Sequence, residues 1–409
     1  MMIKSLGLYR ASLLLSLYTT QFIGFAFFME AFVAILRKNG VGLEHLGLIY
    51  TLGLVWVVRF LWAPLIDRFR LSSKSHFKAW VAFFQALMVL TLLAASMLSV
   101  IENISIIVLF NALFAIFSAS QDIALDALVL KDIGLQNRPH AMSLKAAGSS
   151  MGMVLGGGFG LVVYDYLGWT YTMLLLCFVT LNSLVQLCFY KEKQGGAQRE
   201  RVAFRAYFNF WKTRRSWLIF LFFYPVTISA AFVLISPILV DTGWALAKIG
   251  FYIHIIGYGA GALVSLVASG VIKKLNFRRV LIFAIVGQSV VLLFYLLPLH
   301  FTVNELGITA IVSLAFSLSS ISGIVVTTLM MDECKEISPA TGFAMQHGIF
   351  MFFSIISSSL SMGLAGKFGY ENIIIFFSLF GVVAALMVIR LRIERDGEYS
   401  AFDGEQILP

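Results

Sequence analysis

The stretch that decides the fold is KEKQGGAQRERVAFRAYFNFWKTRRS, residues 191–216, with eight basic and two acidic side chains. It is the one long polar interruption in a succession of apolar runs. Six runs precede it: 12–36, 45–66, 78–99, 105–130, 140–163 and 170–190. Six follow it: 217–240, 247–271, 279–299, 305–330, 341–365 and 371–391. Each is long enough for a helix, rising about 1.5 Å per residue, to cross an apolar core of about 30 Å. The spacing therefore predicts an all-α polytopic membrane protein, with 12 transmembrane helices in two six-helix bundles. The expected units are the N-terminal bundle 1–190, the basic linker 191–216, the C-terminal bundle 217–391 and a polar, disordered tail 392–409.

Composition agrees. Of 409 residues, 60% are hydrophobic and 12% charged, about half the charged share of a soluble domain. The short alternating strands of a β-barrel do not appear. A net charge of +9 could suit nucleic acid, but the basic residues sit in short loops between apolar runs, so the bilayer is the expected partner. Within the linker, an amphipathic stretch is expected to lie on the membrane, or else to serve lipid sensing. Cys177, Cys188 and Cys334 form no metal or redox spacing. Lys4 and Arg10 before an apolar run superficially resemble a signal peptide. The run continues to Leu36 without a small-residue cleavage site, so an uncleaved first span is expected.

Placing both termini in the cytoplasm leaves Arg37, Lys38, Lys248 and Lys367 outside and Arg59 and Lys145 within spans; the other 24 of 30 Lys and Arg then lie inside. The halves also repeat. Gly40-Val-Gly-Leu43-Glu-His-Leu46-Gly47 parallels Gly243-Trp-Ala-Leu246-Ala-Lys-Ile249-Gly250, and Asp132 precedes Pro139 as Asp332 precedes Pro339. Offsets of 203 and 200 in the same order indicate duplication, the layout of many secondary transporters.

Ionisable groups inside spans cost about 2.5–3.5 kcal/mol each on insertion scales, so each is a functional candidate. Span 4 carries Ser120-Gln121-Asp122-Ile-Ala-Leu-Asp126, whose two carboxylates share a helix face. Arg59 in span 2 and Lys145 in span 5 lie at similar depth and are their expected partners. Such a network either carries protons or contacts substrate, or it only holds the bundle together. Glu30 is either a second protonatable site or a group reaching the outer interface. Gln21, Gln121, Tyr224, His254, Tyr258, Gln346 and His347 are candidates for a polar substrate cavity, since histidine titrates near neutrality and the others hydrogen-bond. For a lone membrane histidine, a satisfied packing role is the alternative. Pro225 and the run Gly156-Gly-Gly158, with Gly152 and Gly160 beside it, mark bending or close packing. No GK[ST] follows the glycines, so they are not a phosphate loop.

Two segments carry a family resemblance. Arg59-Phe-Leu-Trp-Ala-Pro-Leu-Ile-Asp67-Arg68 follows Gly47-Leu-Ile-Tyr-Thr-Leu-Gly53. Ser118-Ala-Ser-Gln-Asp122-Ile-Ala-Leu-Asp126-Ala is followed by a glycine-rich span 5 and Gly168-Trp169. Together they resemble the AmpG-like branch of the major facilitator superfamily, over about residues 20–175. That branch includes muropeptide permeases and RhtX/FptX-type ferric-siderophore importers. The superfamily's Gly-x-x-x-Asp-Arg-x-Gly loop appears as Ala63-x-x-x-Asp67-Arg68, with Arg70 for the second glycine. The resemblance implies a cytoplasmic gate at Asp67 and Arg68. After span 8, Gly270-Val-Ile-Lys-Lys274 has lysine in place of the acid, which speaks against a symmetric latch.

The resemblance implies a monomeric transporter of the bacterial inner membrane, working by alternating access without a cofactor and driven by the proton gradient. Twelve spans in 409 residues suit the siderophore importers better than the longer muropeptide permeases. The first expectation is thus import of a ferric siderophore, with any iron inside its chelator and no metal held by the protein; the second is muropeptide import. A membrane enzyme would need a catalytic constellation, and the six histidines (45, 76, 140, 254, 300, 347) are scattered. A sensor would need a sizeable soluble domain. A channel fits the duplicated bundle less well than alternating access does.

Overall fold

The computed structural model describes residues 6–32, 35–36, 51–73, 75–100, 102–193, 210, 212, 214–244, 246–272, 275–336 and 339–391. Among them no strand occurs, and nine helices are long and apolar enough to cross a membrane. One of the nine, Leu135–Phe189, runs to 55 residues. Gly168 divides it, at φ 78° and ψ −177°, a conformation that glycine adopts without Cβ strain. The connection between spans 5 and 6 is thus a single residue. With the first span and a segmented second one, the described residues form twelve spans.

In chain order, α1 is Leu8–Ala26, prolonged by a π turn at Phe27–Ala31. The segmented α2 comprises Thr51–Leu54, Val55–Val58, Arg59–Leu61 and Ala63–Arg68. Then follow α3 (Phe77–Ser96), α4 (Ile104–Asp132), α5 (Arg138–Met153, a π turn at Val154–Phe159, and on to 167) and α6 (169–189). The second half has α7 (Arg215–Asp241), α8 (Leu246–Gly250, a π turn at Phe251–Gly257, then Tyr258–Ile272) and α9 (Phe277–Phe294). It ends with α10 (Glu305–Asp332), α11 (Pro339–Phe368) and α12 (Tyr370–Arg390). Most of the linker and the whole tail from 392 lie outside the described residues.

Span 2 departs from the expected unbroken helix over 45–66, of which 45–50 lie outside the described residues. Pro64 lacks a backbone N–H, and its ring crowds the carbonyl four residues earlier, so the helix cannot run through. The chain tightens into a 3₁₀ turn at Arg59–Leu61 and breaks at Trp62. That break leaves Arg59 fully buried on the turn beside α4.

Duplication shows in the backbone and side chains. Gly369, at φ 81°, turns the chain into α12 as Gly168 turns it into α6, 201 positions earlier. Gln85 of α3 and Gln288 of α9 are both buried and lie 203 apart, the spacing of Gly40 and Gly243. Between the halves, α5 packs on α8 and α10, while α11 packs on α2 and α4.

Within the first half, a glycine seam joins α5 to α1. A Cβ added at Gly148 would meet the Tyr18 Cβ at 2.8 Å; one at Gly152 would meet the Phe22 Cβ at 2.6 Å and the Thr19 carbonyl at 2.8 Å. Gly156 lies against the Ile23 carbonyl, and Gly160 against the Phe27 ring. Residues four apart stack on one helix face, so the backbones approach as closely as small residues permit. The seam brings Lys145, one turn before Gly148, level with Tyr18. A side chain at Gly152 should therefore force the helices apart, with an overpacking cost of about 1–3 kcal/mol. Thermal unfolding in detergent should show Gly152→Val melting below the wild type. Gly158→Ala, with nothing within 4 Å of its Cβ, should melt with the wild type. Equal losses in both would remove the seam from the account.

Candidate functional site

Four intramembrane charges of the first half, Arg59, Asp122, Asp126 and Lys145, meet. Lys145 Nζ donates to Asp122 Oδ1 at 2.8 Å and to Asp126 Oδ2 at 2.6 Å. Arg59 donates to Asp122 Oδ2, and the Tyr18 hydroxyl donates to Asp126 Oδ1 at 3.0 Å. Each element has its part. The α2 break supplies Arg59, the four-residue spacing on α4 aligns the carboxylates, and the glycine seam holds Lys145 and Tyr18 opposite them. Two acids and two bases make the set formally neutral, which is the condition for keeping four charges out of water.

The second half covers this cluster. The Lys145 ammonium lies 5.1 Å from the Phe343 ring centroid and 5.3 Å from that of Tyr18, within cation–π range. His347, one turn beyond Phe343 on α11, is buried among the Phe343 and Phe350 rings. Among the described residues its Nδ1 has no hydrogen-bond partner, nor do Nε and one terminal nitrogen of Arg59. The cluster is thus built in one half and roofed by the other.

At the face where the described chain begins and ends, near Leu6 and Leu391, two sets of contacts among the described residues fasten the halves. Asp67 accepts from the Ala340 and Thr341 amides at 3.2 and 2.9 Å and from the Thr341 hydroxyl at 2.6 Å. A carboxylate there satisfies orphan amides at the start of α11 and complements its dipole. Arg138, at the start of α5, pairs with Asp332, at the end of α10, at 2.9 Å. Arg68 takes no such part among these contacts; it lies exposed near the Phe69 ring. Lys274, which replaces the second acid, lies outside the described residues.

The remaining predicted residues divide. Gln346 ties three helices: it accepts from Trp217 Nε1 at 2.6 Å and donates to the Met330 carbonyl at 2.9 Å. That places it in bundle packing rather than facing a cavity. Tyr224 donates to Ser322 Oγ at 2.9 Å inside the second bundle, and Gln288 Nε2 donates to the same oxygen at 2.7 Å. Tyr258 is half-buried against the Phe316 ring. Gln21 and Gln121 are completely buried, with all four side-chain polar atoms unpartnered among the described residues. The side chains of Glu30 and His254 lie outside the described ones.

Three residues escaped the sequence reading. Tyr18 shares a helix face with Gln21, three positions on, and that polar pairing was the available signal. Phe343 carried none, being one of 38 phenylalanines. Glu192 looked like a linker charge, yet it is buried and accepts from Lys131 Nζ at 2.7 Å and from the His76 and Lys78 amides at the start of α3. Its neighbour His76 is held below the ordinary histidine range, chiefly by burial.

The sequence profile of the Major Facilitator Superfamily matches residues 14–348. Among curated proteins, the Anhydromuropeptide permease of Escherichia coli K12 is 23% identical over 256 residues, covering 60% of this chain and 52% of that one. An uncharacterized protein of Haemophilus influenzae is 25% identical over 264 residues, 60% of either chain. The match thus spans only about half to three-fifths of these two relatives. A Rickettsia bellii protein named "Putative transporter AmpG 1" is 21% identical over 384 residues, 87% of this chain and 92% of its own. In structure, the transporter FucP in its outward conformation matches with TM-score 0.74 at 12% identity, covering 94% of this chain and 99% of that one.

If charge balance holds the cluster together, removing one base should cost more than removing a base and an acid. Lys145→Met leaves two buried carboxylates facing one guanidinium, a loss of about 3–5 kcal/mol for a broken buried pair. Lys145→Met with Asp126→Asn restores neutrality and should recover most of that loss in thermal unfolding of the purified protein. A double variant as unstable as the single one would refute the charge-balance account.

Proposed function

The chain belongs to the Major Facilitator Superfamily, in its AmpG-like branch, and from that premise we propose that it imports muropeptides by alternating access, driven by the proton gradient. It is a multi-pass secondary transporter and not an enzyme. The observation that carries the mechanism is the neutral set Arg59–Asp122–Lys145–Asp126, roofed by Phe343 and His347 of α11. A proton added to either carboxylate leaves the set one positive charge in excess. Excess charge in a dry site seeks water, and separating α11 from α2 and α4 would supply it. The proton and the movement of the halves are thereby linked through one electrostatic condition.

The substrate reading rests on the relatives. Chain length does not favour ferric siderophores, because the Rickettsia protein matches over most of both chains and carries an AmpG name. Of the relatives named above, one is a muropeptide permease and none bears a siderophore name. Muropeptide import therefore moves ahead of siderophore import. We place the termini-bearing face in the cytoplasm, on the distribution of Lys and Arg. The Asp67 and Arg138 fastenings then close the cytoplasmic side in this conformation.

Cells carrying the protein should accumulate labelled anhydromuropeptide, while ferric siderophores should show no difference from cells without it. A protonophore should abolish the accumulation. Asp126→Asn should lose uptake against a gradient, and Asp122→Asn should be compared separately. Accumulation of the siderophore alone would reverse the substrate reading. Gradient-driven uptake unchanged in both aspartate variants would remove proton coupling from this pair.

A further inference from the structure

Three buried glutamines of the first bundle stand on three different helices and are joined through their neighbours. Gln85 of α3 donates to Thr20 Oγ1 at 3.1 Å, Thr20 being the neighbour of Gln21 on α1. Ser118 of α4 donates to the Gln21 carbonyl at 2.9 Å, and Gln121 lies one turn further along the same face of α4. All three glutamines are 0% exposed. Gln85 Nε2 is well bonded, to Thr20, the Thr180 carbonyl and Ser183. Among the described residues its Oε1 has no partner, and neither does any amide atom of Gln21 or Gln121.

A buried polar atom left without a partner loses its hydration and gains nothing in return. Five such atoms on three neighbouring helices would weigh heavily against the marginal stability of a typical domain. An occupant must therefore satisfy them. It faces two N–H₂ groups and three carbonyl oxygens, so it must both donate and accept. A cation would leave the N–H₂ groups unmet, and an anion would leave the oxygens unmet. Water does both, and at about three hydrogen bonds per buried molecule roughly two would suffice.

The location matters as much as the occupant. Asp122 follows Gln121 directly, and Tyr18, which holds Asp126, is one turn from Gln21. Arg59 and Trp62 approach α4 from α2, at Asp122 and Ser120, whereas the glutamines and their partners belong to α1, α3, α4 and α6. No residue of the second half is needed to build this set. We propose that Gln21, Gln85 and Gln121 enclose a cluster of buried water inside the first bundle, through which protons reach the Asp122–Asp126 pair apart from the substrate's passage between the halves. This assignment rests on the proton-coupled reading above.

A density map near 2 Å should show ordered water against the three amides in the wild type. The same positions should be empty or apolar in Gln121→Leu, which keeps the side-chain volume. In proteoliposomes loaded with anhydromuropeptide, that variant should keep counterflow of the labelled compound within about twofold of wild type, since exchange needs no net proton. Its proton-driven accumulation should fall at least tenfold. Glutamines bonded directly to one another without water, or a sodium ion in the density, would overturn the assignment. So would counterflow and accumulation falling together, which would mark the glutamines as substrate contacts, or accumulation left unchanged. If the wild type moves no anhydromuropeptide, the substrate reading fails, and the density still decides whether water lies against the three amides.

Discussion

Four ionised side chains buried in an apolar bundle are tolerable only as a neutral set, and much of the first half is arranged to satisfy that condition. Arg59 is fully buried because Pro64 breaks α2 just beyond it. Asp122 and Asp126 face one lysine because they stand four apart on α4. Lys145 reaches both because glycines at 148, 152 and 156 let α5 lie against the backbone of α1. A change at any of these places disturbs a charge balance, not only a contact. That is why the cluster can act as a switch as well as a brace.

The second half has no such set among its described residues. Its polar interior is neutral: Tyr224, Ser322 and Gln288 share hydrogen bonds, and Gln346 binds α7 to α10 and α11. The division of labour follows from the chemistry. One bundle carries charge that responds to protons, and the other provides the movable cover through Phe343 and His347. The fastenings at the termini-bearing face are equally unsymmetrical. Asp67 caps α11, while the reverse contact at this face is an ion pair between Arg138 and Asp332.

Much of this was legible in the sequence, for physical reasons that can be named. Membrane spans advertise themselves by length and apolarity. Intramembrane charge is costly enough that Arg59, Asp122, Asp126 and Lys145 stood out and could be paired by depth. Roles that depend on tertiary neighbours were not legible. Nothing in the run around Gln346 says that Trp217 lies against it. Nothing marks Phe343 as the ring over Lys145, nor Glu192 as the cap of α3 and not a linker charge. The single-residue turn at Gly168 was hidden because a positive φ leaves no trace in hydropathy. The repeat could have been read further, since Gln85 and Gln288 stand at an offset already seen in Gly40 and Gly243.

The central claim is that charge balance in the cluster governs whether the halves part at the face carrying both termini. Phe69 and Leu275 are exposed there, one in each half. Spin labels at these positions, in protein whose three cysteines are replaced, would report the separation by double electron–electron resonance. Asp126→Asn leaves Lys145 and Arg59 with a single carboxylate, so the account expects the distance distribution to shift toward longer separations. A distribution superimposable on that of the labelled parent would contradict it.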